Sequence, residues 1–294
     1  MITEIIVLSG KGGTGKSSVT SALATLCNKI VVGDCDVDAA NLYLVLKPED
    51  KREEIFLAGE KAVVDVDKCT GCGLCSEYCR FSAIHMEEGH AVISESACDG
   101  CRLCTRVCPS GAIAMKEMDK SRWFCGDLKN GKMIHARLAP GEDNSGKLVS
   151  VVREEARKEA EKAGADVILL DGPPGIGCPV ISSITGTSKT LVVTEPTNSG
   201  WHDLERIVGL AADFEVPVDV VINKYDLNER LSEEIEKWCN SRKIPVIGKI
   251  VFDKSVVDAM TDCETITDRE PNSPVSMEIK KIAGKLFPKE ILNF

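Results

Sequence analysis

A run of small residues with two lysines near the amino terminus has the spacing of a phosphate-binding loop. In SGKGGTGKSS, Gly10 is followed by four residues and then by Gly15, Lys16 and Ser17, directly after the apolar run EIIVL. Glycines let backbone amides converge on phosphate oxygens, and the following helix directs its positive end at the same anion. We expect Lys16 to bind the β- and γ-phosphates of a nucleotide and Ser17 to bind Mg²⁺. The other loop residues expected around the phosphates are Gly12, Gly13, Thr14 and Ser18.

Carboxylates that could complete a magnesium site follow two other apolar runs. Asp171 ends DVILLD and precedes GPPG, which predicts that it polarises the water shell of Mg²⁺ while Gly175 reaches the γ-phosphate. The segment GDCDVD supplies Asp34, Asp36 and Asp38. We expect Asp36 to join the magnesium site and orient the attacking water, with Asp38 as a weaker candidate. Asp34 and Asp38 could equally cap a helix.

These residues need a sheet whose strand ends lie side by side. Strands are predicted at EIIVL, KIVVGD, DVILLDG, KTLVVTE, PVDVVINK and IPVIGKIV, with amphipathic helices between most of them. Such apolar strands predict a doubly wound, mostly parallel α/β sheet covered on both faces. We expect a phosphate-loop (P-loop) NTPase domain in residues 1–62 and 117–294. Residues 63–116 are rich in cysteine and glycine and predict an inserted module.

Eight of the fourteen cysteines lie in that insertion, in two runs of identical spacing. The first run is Cys69, Cys72, Cys75 and Cys79, and the second is Cys98, Cys101, Cys104 and Cys108. The runs resemble those of bacterial two-cluster ferredoxins, in which the fourth cysteine of each run ligates the other cluster. The resemblance implies two 4Fe–4S clusters per chain, with Cys108 completing the first ligand set and Cys79 the second. Two all-cysteine zinc sites are the alternative, although zinc sites usually pair two C-x-x-C hooks.

Composition narrows the classes of partner. With 36 basic and 46 acidic residues the formal charge is -10, which argues against nonspecific nucleic-acid binding because phosphates would be repelled. No apolar run approaches the roughly 20 residues of a membrane span, and no signal peptide is recognisable. We expect a cytoplasmic protein that does not bind membranes, and we expect the amphipathic stretch VSMEIKKIAGKLF to dock as a terminal helix.

Three segments together resemble the MinD/ParA and nitrogenase iron protein family of ATPases, whose Walker A loop is deviant. They are GKGGTGKS, with lysine in second position, DCDVDAAN and DGPPG. The resemblance implies a homodimer in which Lys11 of one subunit reaches the phosphates bound by the other, so that dimerisation gates hydrolysis of Mg²⁺–ATP. The catalytic residues would then be Lys11, Lys16, Asp36 and Asp171.

Base recognition is predicted from INKYD, which follows an apolar strand. Asn223 would contact adenine, as an asparagine does at the corresponding strand end in the resembling ATPases. Alternatively, Asn223 and Asp226 could form the N-K-x-D element by which GTPases hold guanine. The lysine-second loop favours ATP over GTP.

Cys178 lies seven residues after Asp171, an offset at which the nitrogenase iron protein has a ligand of a cluster shared at its dimer axis. The resemblance therefore makes Cys178 a candidate ligand of a third cluster at a dimer interface. The second cysteine that each subunit would supply has no aligned counterpart, and Cys125 is the candidate for it. The alternative is a plain thiol at a helix start.

The combined motifs predict a dimeric ATPase that couples its nucleotide switch to two 4Fe–4S clusters. The first hypothesis is electron transfer to a redox partner under ATP control. The first alternative is assembly or delivery of a metallocluster to a partner protein, as in Mrp-type scaffolds. The second alternative is a spatial positioning ATPase of the MinD type.

Overall fold

The computed structural model describes residues 2–142 and 144–294, which form two compact units. The large unit comprises the chain up to Glu53, Trp123–Ala136 and Ser145–Phe294. The cysteine unit comprises Glu54–Arg122 and Arg137–Asn144. The cysteine unit is wider than the predicted insertion of residues 63–116, because flanking chain on both sides and the separate 137–144 segment pack with it.

The strands are numbered in chain order. They are β1 (Thr3–Leu8), β2 (Ile30–Asp34), β3 (Glu49–Phe56), β4 (Gly59–Val64), β5 (Ile84–Glu87), β6 (His90–Ile93), β7 (Ile113–Met118), β8 (Ser121–Leu128), β9 (Gly131–Arg137), β10 (Val167–Asp171), β11 (Lys189–Thr194), β12 (Val218–Asn223) and β13 (Val246–Ile250).

The helices are numbered in the same way. They are α1 (Lys16–Thr25), α2 (Leu42–Leu46), α3 (Leu74–Glu77), α4 (Leu103–Val107), α5 (Ser145–Ala163), α6 (Cys178–Ile184), α7 (Asn198–Asp213), α8 (Glu229–Ser241), α9 (Lys254–Thr261), α10 (Ile266–Arg269) and α11 (Pro274–Leu286), with short 3-10 helices at Tyr225–Asn228 and Lys289–Ile291. No helix in the described ranges is both long and apolar enough to cross a bilayer.

One sheet organises the large unit, with strand order β13-β12-β11-β1-β10-β2-β9-β8-β3. Every neighbouring pair from β13 to β9 is parallel, which confirms the predicted mostly parallel α/β sheet. Val7 on β1 is in register with Asp171 on β10, and Asp171 is in register with Asp34 on β2. The carboxyl ends of three central strands therefore bring the glycine-rich loop and two carboxylates to one edge of the sheet.

The core forms because the central strands carry almost only apolar residues. Successive side chains of a strand lie on opposite faces, so Ile5 and Val7 pack on one face, in a cluster that includes Leu23 of α1. Helix α11 joins the same cluster through Ile279 and Ile282, which are at most 2% exposed. The prediction that this terminal helix is docked is therefore confirmed.

The cysteine unit is built from short elements around a small core. Strands β4 and β7 pair antiparallel, and β5 and β6 form a hairpin. Its buried apolar cluster consists of Ala62, Cys75, Ile84, Ala91 and Ile113, with the partly buried cysteines Cys69, Cys79, Cys98, Cys104 and Cys108 packed against it. Because so few apolar residues are buried, cross-linking by bound metal would add to the stability of this unit.

Candidate functional site

The predicted phosphate-binding loop joins the end of β1 to the start of α1. Gly13 and Gly15 have φ of 83° and 90°, in the left-handed region that favours glycine. A β-carbon at Gly15 would also overlap the side-chain amide of Asn223. The glycine spacing therefore follows from backbone conformation and from close packing against the end of β12.

Asp171 is the centre of a compact polar cluster beside this loop. The Lys16 Nζ lies 2.7 Å from Asp171 Oδ2, and the Ser17 hydroxyl donates to the same oxygen at 2.6 Å. The Thr20 hydroxyl donates to Asp171 Oδ1 at 2.7 Å. The Lys16 and Asp171 side chains are 6% and 1% exposed, so their interaction is shielded from water. The structure thus brings together Lys16, Ser17 and Asp171, three of the side chains predicted to bind phosphate and Mg²⁺. Hydroxyl and carboxylate oxygens such as these are ligands that Mg²⁺ prefers.

Asp34 and Asp36 differ in their surroundings at the end of β2. The oxygens of the fully buried Asp34 carboxyl group accept hydrogen bonds from the backbone N–H groups of Asp36, at 3.1 Å, and Leu42, at 3.2 Å. Burial, and after it the nearby Asp171 carboxylate, raises the pKa of Asp34 to about 8. Asp34 therefore holds the turn after β2 and contacts the first N–H of α2. Burial also raises the pKa of Asp36, while Lys16 opposes this shift.

Lys11 is held by residues of its own chain. Its Nζ lies 2.7 Å from Glu195 Oε1 and donates to the Ser199 hydroxyl at 3.0 Å. The other Glu195 oxygen lies 3.2 Å from the Nζ of Lys224, which donates to the Gly13 carbonyl at 2.8 Å. Partial burial favours a higher pKa for Glu195, but the hydrogen bonds from Lys11 and Lys224 outweigh it and lower that pKa. One carboxylate therefore pairs with two lysines.

The predicted base-binding residues contact other parts of the chain. The Asn223 side-chain amide donates to the Thr14 carbonyl at 2.8 Å, so this residue supports the phosphate loop. The backbone N–H of Phe252 donates to Asp226 Oδ1 at 2.6 Å. Asp226 therefore holds the chain at Phe252.

Gly175 and Cys178 lie in the segment that follows β10. The Gly175 N–H donates to the Ser9 carbonyl at 3.1 Å, and its φ of 88° again requires glycine. Cys178 is exposed and is the first residue of α6. Cys125, in contrast, is 5% exposed within β8, and burial raises the pKa of its thiol. Only Cys178 of these two cysteines has the exposure that a ligand shared between subunits would need.

Four cysteines of the predicted first ligand set line one cavity in the cysteine unit. They are Cys69, Cys72, Cys75 and Cys108, so the last cysteine of the second run joins three of the first. In the second set, burial and then the neighbouring thiols of Cys98 and Cys101 raise the pKa of Cys104. Three cysteines of the first run and one of the second therefore line the same cavity.

The two runs also share their backbone geometry. Gly71 and Gly100, at equivalent positions, both have φ of 67°, and a β-carbon at either would overlap a backbone carbonyl. The fourth cysteines are equivalent as well, because Cys79 Sγ accepts from an N–H four residues later at 3.4 Å and Cys108 Sγ does so at 3.3 Å. Hydrogen bonds of this kind stabilise a thiolate. Among the residues described, no three cysteine, histidine, aspartate or glutamate side chains have the spacing to hold a single metal ion.

Comparison with known protein families supports the assignment of a nucleotide-binding site. Residues 5–266 match the CobQ/CobB/MinD/ParA nucleotide binding domain. The chain belongs to this family. It is therefore a P-loop ATPase of the MinD/ParA type, as predicted.

Three proteins illustrate the family relationship. An uncharacterized protein of Methanocaldococcus jannaschii is 34% identical over 97% of both chains. An iron-sulfur cluster carrier protein of Pyrococcus abyssi is 21% identical, with 97% of this chain and 86% of that protein covered. The septum site-determining protein MinD of Pyrococcus horikoshii, solved with Mg-ADP, superimposes with a TM-score of 0.59 at 20% identity, covering 97% of this chain and 96% of that one. The solved structure supports the MinD/ParA fold alone.

Three polar residues of this MinD/ParA-family site are absent from the sequence-based prediction. Thr20 lies four residues after Lys16, on the same face of α1, which is the one signal that could have indicated it. Glu195 and Lys224 each follow an apolar strand of the sheet directly. Because the carboxyl ends of parallel strands meet at one edge, polar residues there are candidates even without a motif.

Proposed function

We propose that this ATPase is a dimeric carrier that holds two 4Fe–4S clusters in its cysteine unit and supports the assembly or delivery of iron–sulfur clusters to a partner protein. The observation that carries the cluster assignment is the crossed cysteine set around one cavity. Cys69, Cys72, Cys75 and Cys108 would hold one cluster, and the other set is Cys98, Cys101, Cys104 and Cys79. Thiolate ligation and N–H···S hydrogen bonds are what such clusters require, and bound clusters supply one-electron redox chemistry.

The nucleotide switch depends on the cluster of side chains at Asp171. Lys16 would exchange its 2.7 Å contact with Asp171 for the β- and γ-phosphates of ATP, leaving Asp171 and Ser17 to act around Mg²⁺. Asp36 would orient the attacking water. Lys11 would leave Glu195 and neutralise charge on the nucleotide of the second subunit, so that hydrolysis requires the homodimer.

ATP is the proposed nucleotide. The lysine-second loop and the match to the MinD/ParA nucleotide binding domain support ATP, and the Pyrococcus horikoshii relative was solved with Mg-ADP, an adenine nucleotide. A competition assay with labelled ATP against GTP tests this choice. Displacement by GTP at equal concentration would contradict it.

The carrier hypothesis is favoured over electron transfer, which the sequence placed first. The Pyrococcus abyssi relative is named an iron-sulfur cluster carrier protein, which supports the alternative. The exposed Cys178 at the nucleotide end of the large unit would suit a labile cluster shared between two subunits. Electron transfer would instead require tightly held clusters whose reduction rate responds to ATP.

Anaerobic metal analysis tests the clusters. We expect about eight iron and eight acid-labile sulfide per chain, with the spectra of 4Fe–4S clusters. About two zinc ions per chain without sulfide would instead support the zinc alternative. Iron clearly above eight in the ATP-bound dimer, lost in Cys178→Ser but kept in Cys263→Ser, would support the third cluster.

Cluster delivery is measured by activation of apo-aconitase, a 4Fe–4S acceptor enzyme. We expect the reconstituted protein to activate it faster than free iron and sulfide do, with a rate that depends on ATP. Activation that is no faster than with free iron and sulfide would contradict the carrier function, and ATP-dependent reduction of a redox acceptor would then favour electron transfer.

A second candidate is spatial positioning, because a solved relative is named the septum site-determining protein MinD. Such a function would need reversible binding to a membrane or a filament. Helix α11 buries its apolar face in the large unit, which leaves that face unavailable to lipid. Co-sedimentation with anionic liposomes in ATP, but not in ADP, would support this candidate over the carrier.

A further inference from the structure

His135 on β9 is fully buried in the large unit and contacts three other elements. Its ring is stacked between Tyr43 and Phe124, with centroid distances of 5.1 and 4.8 Å and interplanar angles of 12° and 13°. Its Nε2 lies 3.0 Å from Asp50 Oδ1. A buried imidazole is unfavourable unless its polar atoms are bonded, so the Asp50 contact and the two rings fix this side chain together.

The three elements that His135 contacts connect the segment containing Asp36 with the strands that flank the cysteine runs. Tyr43 belongs to α2, the helix that follows the segment containing Asp36. Asp50 belongs to β3, through which the chain leaves the large unit before the cysteine runs, and Phe124 belongs to β8, through which it returns. The His135 side chain therefore contacts α2 and also β3 and β8, the strands before and after the cysteine runs.

A second set of contacts joins α2 to the nucleotide site. The Asp34 carboxyl group accepts hydrogen bonds from Asp36 N and from Leu42 N, and Leu42 is the first residue of α2. Asp34 is also in register with Asp171, the centre of the predicted magnesium site. Movement of Asp36 when nucleotide and Mg²⁺ bind would therefore shift the start of α2, and with it Tyr43.

We propose that the ring stack of Tyr43, His135 and Phe124 transmits the nucleotide state of the Asp36 segment to β3 and β8. The proposal rests on the nucleotide switch described above and names how that switch reaches the strands flanking the insertion. Close-packed interiors change between discrete arrangements instead of deforming continuously, so planar rings in contact would move as a group. His135 is a positioning residue in this scheme and touches no reacting atom.

Hydrogen-exchange mass spectrometry of the full chain tests the proposal without depending on bound iron. Exchange is followed in the glycine-rich loop, in residues 49–53 and in residues 123–128, with and without a nonhydrolysable ATP analogue and Mg²⁺. In the wild type we expect the analogue to slow exchange at all three places. At the two strands we expect a reduction of about fivefold or more, because fivefold is the lower end of typical allosteric coupling.

Tyr43→Leu removes the first ring, and Leu44→Ala, at the exposed neighbouring position, is the matched control. We expect Tyr43→Leu to keep the slowed exchange of the glycine-rich loop but to lose the response of both strands, whereas Leu44→Ala keeps all three. His135→Phe, which retains stacking but removes the bond to Asp50, should lose the response at residues 49–53 and keep it at residues 123–128. This variant also tests the proposal should Tyr43→Leu not fold.

The outcomes are distinguishable from failure of the proposed function. If the analogue leaves the loop of the wild type unchanged, the nucleotide switch is wrong and this inference fails with it. If the loop responds but the strands do not, or if the strands respond equally in both ring variants, the relay is wrong while the nucleotide switch stands.

Discussion

Glu195→Gln should strengthen the ATP-dependent dimer, because Glu195 holds Lys11 within its own subunit. The substitution keeps the size of the side chain and its capacity to accept a hydrogen bond, but removes the charge paired with Lys11 at 2.7 Å. If Lys11 must leave this contact to reach the nucleotide of the second subunit, the contact opposes dimerisation. Because both subunits release Lys11 in the homodimer, weakening this contact favours the dimer by twice the free energy of one contact.

The expected change in the dissociation constant of the dimer depends on how far the Lys11–Glu195 pair is exposed to water. The Lys11 side chain is 36% exposed and the Glu195 side chain is 13% exposed, so the pair is partly screened by water. Such pairs contribute about 0.5–1 kcal/mol. Two such contacts are lost per dimer, so at about 1.4 kcal/mol per tenfold change in an equilibrium constant the dissociation constant of the dimer should fall about five- to 25-fold.

The assay is sedimentation velocity in a nonhydrolysable ATP analogue over a range of protein concentrations. Glu234→Gln is the matched control, because Glu234 pairs with Arg230 on the exposed surface of α8 and should leave the dimer unchanged. In a Lys11→Ala background, Glu195→Gln should have no effect. An unchanged or weaker dimer in Glu195→Gln, or an equal gain without Lys11, would refute the reasoning.

Three further predictions concern other parts of the chain. Thr20→Val, which removes a buried hydrogen bond to a carboxylate, should lower the free energy of unfolding by about 1.5–3 kcal/mol in urea titrations, and Thr20→Ser should lower it less. Gly71→Ala places a methyl group against a backbone carbonyl and should lower iron and sulfide per chain by about half or more, whereas Gly209→Ala, where nothing lies within 4 Å, should keep both. Asp34 is protonated up to about pH 8 in the folded protein but ionises near its ordinary 3.8 when unfolded, so its contribution to stability falls as pH rises through this window. Asp34→Asn should therefore reduce the fall in melting temperature between about pH 4 and pH 8 in nucleotide-free protein, and the exposed Asp38→Asn should not.

The parts of the fold that follow from local sequence rules are predictable. The strands at Thr3–Leu8 and Val167–Asp171 are short, almost unbroken apolar runs, and the helix Ser145–Ala163 has an amphipathic pattern. The structure places all three close to the predicted positions. Strand β3 has no such signal, because its residues are mostly charged and exposed and its place in the sheet depends on backbone pairing with β8. Long-range pairing of this kind is not encoded in a short window of sequence.

At the site, too, some residues are predictable from local sequence rules and others depend on long-range contacts. Lys16 and Ser17 are predictable because backbone conformation and phosphate chemistry restrict their spacing. The retention of Lys11 by Glu195 is not predictable, since the two residues are far apart in the chain and any acidic residue after a strand could take that place. The hydrogen bond from the Phe252 backbone to Asp226 is likewise not predictable, because it depends on a loop whose conformation has no sequence motif.

The charge on β3 has a consequence for the protein in concentrated solution. This strand lies at one end of the large sheet, and six of its eight residues, in EDKREEIF, are charged. An outermost strand presents unpaired peptide groups to which another polypeptide could add, and charged side chains make that addition unfavourable. Self-association of this ATPase through strand addition is therefore disfavoured at β3, which leaves other surfaces for specific pairing.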